Sequence, residues 1–137
     1  MYRGKYVFDG EWVEGFLCID DKISYMEGRE NIIRRIDVRT LGRCTGKRDC
    51  DEKLIWQGDV LENEAGTRFE VRYGEYTMYC PVDDCMMENV GFFTVADGIY
   101  EDMPLGPTEK YAKVIGNIHD NPELKVDAKY RCMACVE

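Results

Sequence analysis

A run of strict alternation constrains this chain more than anything else in it. Between Thr67 and Tyr73, Phe69, Val71 and Tyr73 point one way while Arg68, Glu70 and Arg72 point the other. Successive strand residues face opposite sides of a sheet, so this period of two predicts a strand with one buried face and one wet face. Such a strand needs neighbours, and several other segments qualify. Asp9-Gly10 lies between Tyr6-Val7-Phe8 and Trp12-Val13. Asp-Gly in that setting predicts a type I′ hairpin, because both turn positions need positive φ. Gly15 then interrupts the second strand, at a bulge or a close backbone approach. Ile23–Met26 and Ile32–Val38 are rich in β-branched residues and read as strands. A helix over 29–39 is the competing reading, disfavoured by the β-branched run and the lack of a cap residue.

Thr40 to Asp49 reads as turn, with Gly42 and Gly46 separated by Arg43-Cys44-Thr45. Leu54–Trp56, Val60–Leu61, Tyr76–Val82, Gly91–Ala96 and Tyr111–Ile118 complete the strand set. Turn signals recur every 8–12 residues or so, which favours an all-β sandwich or barrel over βαβ units. Asn121-Pro122-Glu123-Leu124 predicts one or two short helical turns, with Asn121 as the cap and Pro122 at the first helical position.

The length, 137 residues, fits a single domain. A compact chain of that size hides roughly two-thirds of its unfolded surface, core enough to fold without a staple. Apolar stretches such as Phe16–Ile19 fall far short of the roughly 20 residues a membrane span needs. Met1-Tyr2-Arg3-Gly4-Lys5 carries charge without a following apolar segment, so a cytoplasmic location and no membrane partner are expected.

Net charge is −9, unevenly spread. Residues 54–109 hold twelve acids against Arg68 and Arg72, whereas residues 29–53 hold eight basic and five acidic side chains. Nucleic-acid affinity comes mainly from neutralising phosphates, so the acidic middle argues against such a partner. Arg29, Arg34, Arg35, Arg39, Arg43, Lys47, Arg48 and Lys53 form the stretch that argues for one; a solvated strand face plus a loop is the preferred reading.

Seven cysteines, an odd number with no export signal, do not suggest a disulfide framework. Cys18 lies in an apolar run and reads as a small core residue. Cys132 and Cys135 form a Cys-x-x-Cys pair, and Cys80 and Cys85 flank Pro81-Val82-Asp83-Asp84. Together these four could make a zinc site, yet the second pair straddles two acids and unligated thiols are preferred. A thioredoxin-like motif would open a helix beside a βαβ unit, which this pair does not.

His119 is the single histidine, so one subunit cannot build a two-histidine metal site. Asp120 and Asn121 could orient it, but a surface residue beside a helix cap is the simpler reading. The 27 acids make a carboxylate pair uninformative. Asp59 reads as a turn residue bonding nearby backbone, and Asp9 as a hairpin residue. Gly42 and Gly46 lack the Lys-Ser/Thr ending of a phosphate loop. Trp12, Trp56, Phe69, Tyr73, Phe92 and Phe93 could line a groove, though most should be core.

Three segments resemble the YopX family of phage and prophage proteins. These are Gly10-Glu11-Trp12-Val13-Glu14-Gly15; Thr40 to Asp49 with Ile55-Trp56-Gln57-Gly58-Asp59-Val60; and Val114 to Leu124, beginning Val-Ile-Gly-Asn-Ile-His. Arg43, Cys44 and Gln57 stand where the family usually has Gln, an aromatic and Glu. The resemblance implies a small SH3-type β-barrel, about 54–137, with an N-terminal β extension, about 1–53, and it implies no known reaction. The combined expectation is a non-enzymatic interaction module binding a host or phage protein. The alternatives are a nucleic-acid-associated barrel using residues 29–53, and an enzyme with carboxylate chemistry. No catalytic, cofactor-binding or metal residue is assigned, and no cofactor. Met78, Met86, Met87, Phe92 and Phe93 are numerous enough to leave an apolar patch outside, so a homo-oligomer is expected, with a dimer as default.

Overall fold

The computed structural model describes residues 1–96, 102–106 and 110–125. The chain is mostly β, in two antiparallel sheets, and no described residue lies in an α-helix. It forms two compact units, Met1–Cys44 and Thr45–Glu137.

In the first unit, β1 (Tyr2–Tyr6), β2 (Trp12–Ile19), β3 (Lys22–Glu27) and β4 (Glu30–Arg48, its end belonging to the second unit) pair in order, and β1 also pairs with β4. Gly15 is where β2 changes neighbour: Gly15 faces Tyr2 of β1, and the next residue, Phe16, faces Ser24 of β3. A Cβ on Gly15 would sit 2.2 Å from the Ser24 carbonyl oxygen, so the glycine marks a close backbone approach. Val13, Ile23 and Ile36 form the core, packed by Tyr2, Tyr6, Leu17, Tyr25 and Leu41.

The second unit contains β5 (Leu54–Trp56), β6 (Asp59–Asn63), β7 (Arg68–Cys80), β8 (Cys85–Ala96), β9 (Met103–Pro104) and β10 (Ala112–Asn117). Five of these strands lie in the order β10-β6-β7-β8-β9. Ile55, Leu61, Val71, Leu105 and Ala112 make its main core, with Phe92 and Val114 against it. Phe93 and Val95 make a second cluster with Tyr76. Thr45 ties the end of β4 to β5, its hydroxyl donating to the Ile55 carbonyl at 2.7 Å. Between β5 and β6 the chain turns at Gly58 (φ +92°), and Asp59 closes the turn by accepting the Trp56 N–H at 2.8 Å. That is the backbone role expected of Asp59.

Several local expectations need correction. The hairpin at Asp9-Gly10 exists, but only Gly10 takes positive φ, so the turn is not type I′. Asp9 instead accepts the Glu11 N–H through its side chain, which supports a wider loop. Thr40 to Asp49 is strand through Arg48 rather than turn, held by the pairing of Gly42 and Arg43 with Arg3 and Tyr2. Cys18 is exposed, because alternation places it on the same side as Phe16 and away from Val13. Asn121 makes no side-chain cap; Pro122–Leu124 is a 3₁₀ turn, and Asn121 reaches back to the Asn117 N–H. The supposed wet face of β7 is buried at Glu70, which is 2% exposed and ion-paired with Arg72.

Candidate functional site

Strands β7 and β8 are far longer than the strands beside them. Twelve cross-strand pairs join them, from Phe69↔Ala96 to Cys80↔Cys85. Strand β6 reaches only Arg68, Phe69 and Glu70 of β7, and β9 reaches only Phe93 and Thr94 of β8. Among the described residues, the stretch from Gly74 to Gly91 is therefore a two-stranded ribbon with no strand on either edge. A lone two-stranded hairpin is marginal in water, and an open edge presents unpaired N–H and C=O groups to other chains.

The ribbon begins at a glycine pair. Gly74 and Gly91 face each other across the strands, with φ of +146° and +156°. Those values lie outside what L side chains adopt readily, and no atom lies within 4 Å of a Cβ built on either. The pair sits where both strands run on beyond the neighbouring strands of the sheet. Just before it, Tyr73 and Phe92 meet edge to face at 4.9 Å, and Tyr76, two residues into the ribbon, stacks on Phe93 at the same spacing.

Beyond that base the ribbon is apolar and acidic. Val82 is 89% exposed, Val90 69% and Met86 56%, with Met87 and Tyr79 also exposed. Glu75, Asp83, Asp84 and Glu88 are its charged residues, and it carries no basic one. Asn89 Nδ2 is buried without a hydrogen-bond partner among the described residues. At the tip the Tyr79 hydroxyl donates to Asp84, and that hydrogen bond raises the phenol above its ordinary value of 10.0. Asp84 itself takes positive φ, +49°, in the turn that ends the ribbon.

The residues singled out from sequence lie elsewhere and are engaged locally. Arg34 donates to the Tyr6 hydroxyl at 3.2 Å and lies over that ring. Hydrogen bonds to Tyr25 and Tyr6 hold it above its ordinary value. Arg35 pairs with Asp21 at 3.1 Å, and Arg39 with Asp37 at 2.9 Å. Arg43 lies over Tyr2, and Arg48 donates to the Glu52 carbonyl. A groove of about 690 Å³ in the first unit runs between Lys5–Phe8 and Arg35–Arg39, and its two arginines are those same ion-pair members.

In the second unit, half-buried His119 approaches Gly58, its Nε2 3.4 Å from where a Cβ would stand. Asn117 Oδ1 accepts the N–H groups of His119 and Asp120, and Asp120 accepts from Asn117 Nδ2. Asp120 thus braces Asn117, and this cluster folds a turn. Of the aromatics, Trp56, Phe69 and Phe93 are core, Trp12 and Phe92 are half-buried, and Tyr73 is exposed. Cys132 and Cys135 lie outside the described residues; among those described, no group of three or more His, Cys, Asp or Glu could hold a metal ion. No helix among them is long and apolar enough to cross a membrane. Sequence reading placed a strand over Tyr76–Val82 but missed its continuity with Thr67–Tyr73 and its partner from Cys85 to Val90, although the lack of basic residues from Gly74 to Gly91 was a visible signal of the ribbon.

A family model described as YopX protein matches residues 6–124. The three segments quoted for that resemblance lie within this span: the end of the β1–β2 loop with the start of β2, the end of β4 with β5 and the β5–β6 turn, and β10 with the 3₁₀ turn. No curated protein matches the chain.

Proposed function

The chain belongs to the YopX family, and from that premise we propose that it is a phage- or prophage-encoded interaction module that grips a protein partner with its β7–β8 ribbon and catalyses nothing itself. The single observation behind this reading is the ribbon from Gly74 to Gly91, which lacks flanking strands among the described residues and exposes Tyr79, Val82, Met86, Met87 and Val90. Exposed apolar clusters of this kind mark contacts, and an open strand edge can accept a partner's backbone. The four acids and absent bases select a partner surface that is apolar with a basic rim.

In this reading the chain is one domain working in the bacterial cytoplasm, an SH3-type barrel at about 54–137 preceded by a β extension. The family resemblance and the antiparallel order β10-β6-β7-β8-β9 support that architecture. The test is a pull-down from host lysate with two baits side by side, the wild-type chain and the Met86→Asp, Val90→Asp double variant. We expect a protein captured by the wild type and lost from the variant, with both baits showing the same melting temperature. Equal capture by both, or capture by neither, contradicts the reading.

A further inference from the structure

We propose that Cys80 and Cys85 are a redox modification site, two thiols that the ribbon's register holds ready to close into a disulfide across its tip. They are direct partners in the β7–β8 ladder, the last pair before the turn. Among the described residues no other two cysteines are register partners. Opposed residues of an antiparallel pair have Cα atoms about 4.5 or 5.5 Å apart, and both values fall within the roughly 4.4–6.8 Å that a disulfide spans. Both cysteines are free thiols, Cys85 exposed and Cys80 half-buried, with Cys80 Sγ 3.9 Å from Asp83. Turn residues 81–84 join them, so closure asks for no movement of distant chain.

The oxidant is a low-molecular-weight disulfide such as oxidised glutathione. The Cys85 thiolate attacks one of its sulfurs, forming a mixed disulfide and releasing one glutathione thiolate. The Cys80 thiolate then attacks Cys85 Sγ, forming the Cys80–Cys85 bond and releasing the second glutathione. Two cysteine thiols lose two electrons and two protons, and the glutathione disulfide gains them. An excess of small thiol runs both steps backwards, as suits an exposed disulfide.

Trypsin gives a direct readout, because it cuts after Arg72 and Lys110 and the peptide between them contains no cysteine but Cys80 and Cys85. The full chain is incubated with oxidised glutathione and a metal chelator, quenched, alkylated and digested. The expected 73–110 peptide is two hydrogens lighter and unalkylated, and dithiothreitol returns two alkylatable thiols. Cys80→Ser and Cys85→Ser should each abolish the two-hydrogen loss, leaving a thiol or a single glutathione adduct. Folding should speed closure at least about tenfold over the same chain in concentrated urea, since the register presets the geometry. Two thiols that stay alkylatable, cross-links from this peptide to others, or equal closure rates folded and unfolded would each overturn the proposal. None of those results bears on partner binding, which the ribbon's apolar variant tests separately.

Discussion

Asp49 is 6% exposed, and its carboxylate accepts three backbone N–H groups: Oδ1 those of Asp51 and Lys53, and Oδ2 that of Val114 at 2.8 Å. One side chain thereby joins the bend after β4 to β10. Asp49→Ala removes a charged acceptor and leaves partly buried donors unmade. We expect a loss of about 3 kcal/mol, read as a lower urea midpoint with an unchanged slope. Asp49→Asn should lose less, because one oxygen still accepts. Tyr79 offers a test in pH. Its phenol is raised by the hydrogen bond to Asp84, so the contact's contribution is fully present below the ordinary value of 10.0 and is lost as pH climbs through the raised one. The Tyr79 ring resonances should therefore titrate later than those of an unstructured tyrosine, and Asp84→Asn should bring them back toward it. Titration at the ordinary value in the wild type would show that the contact is absent in solution. Position alone explains why such residues are hard to read from sequence. Asp49 follows a glycine-rich stretch and resembles a loop residue, and only the return of β10 beside it shows what its second oxygen binds.

The ribbon should separate from its sheet in hydrogen exchange. Among the described residues, strands 75–79 and 86–90 pair only with each other, whereas Phe69, Val71 and Val95 are at most 8% exposed in a sheet of further strands. Exchange should be fastest along the ribbon and slowest at its base. Equal protection along β7 would mean that the ribbon is packed against something. Gly74→Ala and Gly91→Ala should each cost about 1 kcal/mol or more through backbone strain, since no atom stands near either Cβ position. The base of β7 was legible because Phe69, Val71 and Tyr73 alternate with polar residues. Its extent was not: Gly74 interrupts the pattern, and Met86-Met87-Glu88-Asn89 has little strand propensity, being held instead by its cross-strand partners. Burial of Glu70 escaped for a related reason. Alternation tells which residues share a face, and Glu70 shares its face with Val95, itself 1% exposed, so both sides of the base are covered. The far end of β4 was hidden by Gly42, Thr45 and Gly46, which look like turn residues until β1 lies beside Gly42 and the Thr45 hydroxyl meets β5.

For the whole molecule, far-ultraviolet circular dichroism should be dominated by β signal. Helix above about one-third, an ordinary level for globular domains, would contradict the fold. Self-association is expected at high micromolar concentration. The first unit exposes Phe8 at 82%, Phe16 at 72% and Met26 at 65%, more apolar surface than a solvated face requires. Light scattering coupled to size exclusion should give a dimer, and a persistent 15.9 kDa species would rule it out. Duplex or single-stranded DNA should bind weakly at physiological salt, because Arg35 and Arg39 already pair with acids and residues 54–109 are net −10. A salt-sensitive complex tighter than about micromolar, weakened by Arg34→Ala, would reverse that expectation. The most direct measurement is hydrogen exchange of the chain alone and in complex with the protein it captures. Protection concentrated between Gly74 and Gly91 is the expected result. Protection elsewhere, with the ribbon exchanging as fast as in the free chain, would contradict the ribbon as the binding element.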